Sequence, residues 1–233
     1  MSIVGWSDSR IVGLTIVLVC AVRSDNQTIR QSDALVILDR ASAVYDTIRT
    51  LSADFVQIVD NPLVGAVDTT RGRLYQQKPN RFAMRFSAPK GDRIVADGRW
   101  LWLYTPSTTP GQVIRTAIPS AGTTGPNLIA QFVERPRERY AARWLRADSL
   151  ASASVVDVLE LTPKDASVPY REAIVWVTRG SGLLGRIEIT ETSGQRRVVV
   201  LRNLRVNGRV AAREFTFAPP AGARVVDADS ARD

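Results

Sequence analysis

The chain of 233 residues has no histidine and a single cysteine, Cys20. Without histidine there is no Ser-His-Asp or Cys-His couple, and no His- or Cys-built zinc site remains once Cys20 is set aside with the N-terminal segment discussed below. Lysine occurs only at Lys78, Lys90 and Lys164, so arginine carries almost all of the net charge of +8. Those arginines are scattered along alternating segments with no run of five like charges, which reads as a solvated positive surface rather than a nucleic-acid face. There is no P-loop, EF-hand spacing or nucleophile elbow. The carboxylate pairs Asp157/Glu160 and Glu188/Glu191 are an odd number of residues apart in strand-like sequence, so their members should point to opposite faces. Catalytic residues, cofactor and metal are all expected to be absent.

One motif stands against that expectation. Gly180-x-Gly182-x-x-Gly185 spells a dinucleotide-binding loop, which needs a helix opening at the third glycine. The third glycine instead opens "GRIEITE", where Ile187 and Ile189 alternate with Arg186, Glu188 and Thr190. A period of two is a strand, so the glycines should sit in the turn of a β-hairpin.

Hydrophobic content of 45% and charged content of 23% are those of an ordinary globular chain, long enough for one sizeable core. Ile11 to Val19 is apolar apart from Gly13 and Thr15. It is shorter than the roughly 20 apolar residues a membrane-crossing helix needs. It fits the core of a secretory signal ending in Val19-Cys20-Ala21, which predicts a leader over 1–21, one domain over 22–233 and export to the periplasm. An oxidising compartment is tolerated well by a mature chain without cysteine. Cys20 leaves a second reading open, the lipidated cysteine of a bacterial lipoprotein, although Val19 is bulky where such sites want a small residue.

Leu35, Leu38, Ala41, Ala43, Tyr45 and Ile48 recur near helical spacing and predict an amphipathic helix over 33–50. From Ala53 the period becomes two. Strand-like runs lie at about 53–60, 66–77, 81–87, 92–97, 100–105, 111–118, 138–146, 154–162, 171–178, 184–192, 195–206 and 213–217. "TTGPNLIAQFVER" interrupts them with a second helix. So many short antiparallel strands make a mainly β (α+β) domain whose large sheet must curl or close. Within it, "RIVADGRWLWLYTP" is a hairpin with Trp100, Trp102 and Tyr104 on one face and Leu101 and Leu103 on the other. Both faces are apolar. A curled sheet with an apolar inside and a helical cover would be a container for something greasy.

The chain resembles the LolA family at "LSADFVQ", at "GRLYQQKPNRFAMRFSAP" leading into "IVADGRWLWLYTP", at "TGPNLIAQF" and at "REFTFAPPAGARVVD", in that order. The resemblance implies an incomplete antiparallel β-barrel of about eleven strands with a helical lid over a hydrophobic cavity. It implies a periplasmic lipoprotein carrier without catalytic activity. Triacylated lipoproteins would be taken from an inner-membrane lipoprotein-releasing ABC transporter and passed to an outer-membrane acceptor. One acyl chain of about sixteen carbons is worth roughly 12 kcal/mol of transfer energy, so cargo cannot cross water without an apolar cavity. The implied cavity residues are Phe82, Ile94, Trp100, Trp102, Leu128, Ile129 and Phe132, with Lys78 standing where the family commonly places an arginine that latches the lid. A LolB-like acceptor anchored at Cys20 is the second reading. A lipid-sensing envelope-stress regulator module is the third, set back by the expectation that no further domain follows.

Overall fold

In a computed structural model that describes residues 22–118, 129–150 and 154–228, twelve strands form one open sheet. They are β1 (Thr50–Asn61), β2 (Ala66–Gln77), β3 (Arg81–Ala88), β4 (Arg93–Asp97), β5 (Trp100–Tyr104) and β6 (Gln112–Ala117), then β7 (Tyr140–Ser149), β8 (Val155–Pro163), β9 (Tyr170–Thr178), β10 (Leu184–Glu191), β11 (Arg196–Val206) and β12 (Arg224–Asp227). Their order across the sheet is β12-β6-β5-β4-β3-β2-β1-β11-β10-β9-β8-β7. Two meanders, β1–β6 and β7–β11, therefore join where β1 pairs antiparallel with β11. Among the described residues the one parallel pair is β12 with β6. It covers an edge that would otherwise offer unpaired backbone groups.

The mainly β, unclosed sheet is as expected, with three differences. The first helix, α1 (Val22–Thr47), begins well before residue 33 and ends three residues short of 50. Residues 213–217 are not a strand: Ala212–Phe215 is a 3-10 turn. No strand lies beside it, and Phe215 instead plugs into the face of the sheet, packing with Ala83 and Val95. The twelfth strand is Arg224–Asp227, a segment outside the strand-like runs of the sequence.

The helix α1 covers one side of the sheet, the inner face. Ala34, Leu38, Ala41, Tyr45 and, just past the helix, Ile48 are all buried. Their spacing alternates between four and three residues, which lines them up as one stripe. Burying side chains such as Leu38 and Ile48 stabilises the fold by about 2 kcal/mol each. The stripe packs with Leu51, Phe55, Leu74, Phe82, Leu159, Val175, Ile187 and Val199 in the main core, so α1 sits across both meanders.

The glycine-rich segment is the β9–β10 hairpin. Gly182, at φ +68°, takes the left-handed conformation the turn requires. A Cβ there would come within 3.1 Å of Val44, so the same glycine also lets α1 lie close to the turn. Gly185 is matched to packing as well: a side chain there would overlap Leu150.

Candidate functional site

Strand parity decides which side chains face α1. On β3, Phe82 and Met84 belong to the main core, and Ala96 on β4 joins them. Leu101 lies opposite Ala96, and Leu103 opposite Ile94. Ile94, Leu101 and Phe86 pack against that core while remaining partly exposed. The inner face of β3–β5 is thus apolar and accessible in part.

The short helix α2 (Ala130–Val133) packs against α1, and its buried side chains join the same main core. Ile129, just before α2, and Phe132 are 0% exposed. A helix of one turn has no stability of its own, so its side chains must be held from outside. Phe132 lies between two tyrosine rings, with centroids 6.3 Å from Tyr140 and 6.1 Å from Tyr170. The Tyr140 hydroxyl donates to the Gln131 carbonyl of α2 at 2.9 Å and shares a 2.7 Å hydrogen bond with the Tyr170 hydroxyl. Since the Tyr140 hydrogen points at Gln131, Tyr170 is the donor to Tyr140. Burial pushes the Tyr140 hydroxyl well above the usual phenol range, and the bond with Tyr170 adds to it. Tyr140, with Tyr170 behind it, ties α2 to β7 and β9, and the Arg139 guanidinium donates to the same Gln131 carbonyl at 3.3 Å.

Four of the expected cavity residues therefore come together. Phe82, Ile129 and Phe132 share the main core, and Ile94 packs against it. Leu128 lies outside the described residues. Trp100 and Trp102 do not join them. Trp102 lies opposite Val95 and packs on the other side of the sheet with Ala83, Val95 and Phe215. Its Nε1 donates to Asp97 Oδ2 at 2.8 Å, and its ring meets Phe217 at 5.7 Å. Trp100, two residues earlier on β5, shares that outer face. The Arg115 guanidinium stacks 4.3 Å from its centroid and forms a two-pronged ion pair with Asp227 on β12. The reason both faces of this hairpin are apolar is that both are covered. Leu101 faces the inside, Trp102 packs with Phe215 and Phe217 of the segment after β11, and Trp100 lies under Arg115. Burial alone would raise the Asp97 carboxyl, but donors from Trp100, Trp102 and Arg99 outweigh it and hold the group below its ordinary value.

Lys78 lies at the lid boundary but its bonds go elsewhere. Its Nζ donates to the carbonyls of Tyr45 at 2.9 Å and Asp46 at 3.2 Å. Those carbonyls belong to the last turn of α1, where acceptors lack helical partners and a cation is favourable. A gap of about 10 Å³ separates it from Ala130, Val133 and Glu134. Lys78 thus fastens the end of α1.

Two clefts flank the packed centre. One of about 640 Å³ runs beside α1, lined by Val36, Ile37, Trp144 and Val177 with Arg40 and Arg179 at its margin. There the Asp157 carboxylate is held by Arg179 at 2.7 and 3.0 Å and by Trp144 Nε1 at 3.0 Å. Burial would raise that carboxyl, yet the Arg179 and Trp144 contacts prevail and lower it. Glu160 pairs with Arg143 on the outer face, so the two carboxylates point apart as expected. The second cleft, about 550 Å³, lies between the β9–β10 turn and the end of β11, lined by Leu183, Leu184, Leu201 and Leu204. Both volumes fall in the ordinary range for small-molecule sites.

Sequence reasoning passed over Leu101, Tyr140 and Tyr170. Leu101 was visible in the alternation of β5. The tyrosines carried no local signal, because their meeting depends on β7 and β9 flanking the same strand.

A family model described as outer membrane lipoprotein carrier protein LolA matches residues 46–218. The chain is 33% identical to the outer-membrane lipoprotein carrier protein of Pectobacterium atrosepticum, over 77% of this chain and 82% of that one. It is 34% identical to that of Albidiferax ferrireducens, over 77% and 85%. The fold is similar to the crystal structure of an uncharacterized conserved protein from Thermus thermophilus, with a TM-score of 0.53, 13% identity and coverage of 84% of this chain and 99% of that one. With most of its length matched and its sheet, helical cover and apolar inner face in place, the chain belongs to the LolA family of outer-membrane lipoprotein carrier proteins.

Proposed function

We propose that this chain carries triacylated lipoproteins through the periplasm, holding their acyl chains on the inner face of the sheet. The chains would lie against Phe82, Phe86, Ile94 and Leu101, in the space that Ile129 and Phe132 occupy when α2 is closed. The observation that carries this reading is the state of α2. A one-turn helix contributes two fully buried apolar side chains to a large apolar face and is tied down by hydrogen bonds to a carbonyl of its own backbone. Such a plug can be exchanged for other apolar matter with little change in buried area. Cargo would displace Phe132 and Ile129, and closure of α2 would return the face to its packed state after hand-over. The cavity then need be no better a home than the next site. An inner-membrane lipoprotein-releasing transporter would supply the cargo and an outer-membrane acceptor would receive it.

The test is native and denaturing mass spectrometry on the protein expressed with its own N-terminus and recovered from the cell envelope. The expected species is soluble, begins after Ala21 and holds a triacylated lipoprotein. Ile94→Asp and Leu101→Asp should abolish the bound mass, because a carboxylate would have to be buried against hydrocarbon. A species beginning at diacylglyceryl-Cys20 would support the anchored acceptor instead. An empty protein that gains no cargo on co-expression with lipoproteins would sink the transport reading.

A further inference from the structure

Parity along β2 places Gln76 on the inner face with Leu74. It lies opposite Leu51 of β1 and Phe82 of β3, both in the main core. Gln76 is itself 7% exposed, and its Oε1 meets no hydrogen-bond donor among the described residues. A buried amide carbonyl without a donor is costly, and an apolar side chain at the same place would avoid the cost. Leu74, one pleat earlier, is such a side chain.

The wall across from Gln76 includes the part of the cover that has no stability of its own. A gap of about 10 Å³, room for one water at most, lies between Gln76, Tyr45 of α1, and Ala130 and Val133 of α2. Lys78 lines the same gap, but its Nζ donates to the carbonyls of Tyr45 and Asp46. Lys78, Asp46 and Glu134 are exposed and mark the water edge of the inner face. Gln76 is the first inward position below that edge, about 7 Å of extended chain from Lys78.

Hydrocarbon has no N–H to give Gln76. A triacylated N-terminal cysteine has: one of its chains ends in an amide, and the residue that follows adds a second amide N–H. These groups lie where hydrocarbon gives way to peptide, as Gln76 lies where the apolar face gives way to water. We infer that Gln76 recognises this junction: with α2 displaced, its Oε1 accepts a hydrogen bond from an amide N–H of the acylated cysteine while the chains lie against Phe82. The inference rests on the carrier reading and names the group by which that site tells an acylated peptide from a plain ester lipid. An ester at the same place has no donor and leaves the buried carbonyl unpaired, so it is the worse ligand.

The test is displacement of a dansylated fatty acid from the chain recovered from the cell envelope and freed of lipid. The competitors are N-hexadecanoylglycine methyl ester and its analogue in which oxygen replaces the amide N–H. The wild type should bind the amide at least about fivefold more tightly than the analogue. Gln76→Met, similar in length but without the carbonyl, should bind the two alike. Its empty form should melt no lower than the wild type, because an unpaired buried group has been removed. Three results would each overturn the inference and leave the carrier reading standing: a wild type that binds both compounds alike, a Gln76→Met chain that keeps the preference, or one that melts below the wild type. If the probe does not bind, or neither compound displaces it, the inner face holds no acyl chain and the inference falls together with the carrier reading.

Discussion

The two faces of the β4–β5 hairpin are built from the same kinds of residue and do different things. On the inner side, Ile94 and Leu101 pack against a core shared with α1 and α2 and remain partly open. On the outer side, Val95 is buried and Trp102, partly exposed like Leu101, packs with Phe215 and Phe217, while Arg115 is stacked on the tryptophans and pinned to Asp227. One cover includes a one-turn helix whose Gln131 carbonyl accepts from the Tyr140 hydroxyl and the Arg139 guanidinium. The other is a strap of chain that ends in a hydrogen-bonded strand. Apolar residues alone therefore do not mark a binding surface. What distinguishes the inner face is that part of its cover is a helix of a single turn, which has no stability of its own.

The largest expected effect lies where the inner face is tightest. A Cβ on Gly72 would overlap the Arg85 carbonyl and press on the Phe55 ring. Gly72→Ala should cost at least about 4 kcal/mol in urea unfolding, because β2 and β3 must part to admit it. A cost near zero would mean that the β2–β3 register differs from the one described.

Truncating one buried phenylalanine on each side compares the covers directly. Phe55→Ala, in the main core, should lose about 4–5 kcal/mol in a single cooperative transition. Phe215→Ala should lose about 3 kcal/mol and, by hydrogen exchange, release residues 208–227 ahead of the rest. Equal, global loss for both would erase the distinction between core and strap.

How far these surfaces were legible beforehand follows from the same hairpin. Alternation along Trp100–Tyr104 groups the tryptophans on one side and the leucines on the other, but carries no sign saying which side is inward. The deciding contact comes from Phe215 and Phe217, more than a hundred residues later in the chain. The same two phenylalanines alternate like a strand, and only the absence of a neighbour for them makes the segment a turn. That Phe82, Ile94, Ile129 and Phe132 face one apolar core was readable, because the resemblance and the periodicity pointed the same way. The Tyr140–Tyr170 pair was not, since it needs the packed order of β7, β8 and β9. The β9–β10 hairpin was clear from local pattern, because a change of period at glycines is a local signal.

Smaller effects separate what holds the cover from what holds its flank. Asp157→Asn should cost about 1 kcal/mol at neutral pH, discounted because Arg179 is half exposed. The Asp157 carboxyl is lowered in the folded state, so its contribution is present above the ordinary carboxylate pKa and is lost as pH falls through the folded value. The gap between wild type and variant should therefore close in acid unfolding below about pH 4. A gap that persists there would assign the effect to packing. Tyr140→Phe should cost about 1 kcal/mol and raise hydrogen exchange at residues 129–133 more than elsewhere. Unchanged exchange there would remove the tyrosine as a tie. Lys78→Ala should cost about 0.5 kcal/mol and fray the end of α1 around Asp46, with Lys78→Arg restoring it. Fraying of α2 instead would return Lys78 to the lid.

The most direct measurement is site-specific photo-cross-linking during lipoprotein loading, with a benzophenone side chain placed at Leu101 or at Trp102 in otherwise identical proteins. Acylated lipoprotein should be cross-linked from position 101 and not from position 102. Cross-linking from 102, or from neither with cargo bound, would contradict the assignment of cargo to the inner face.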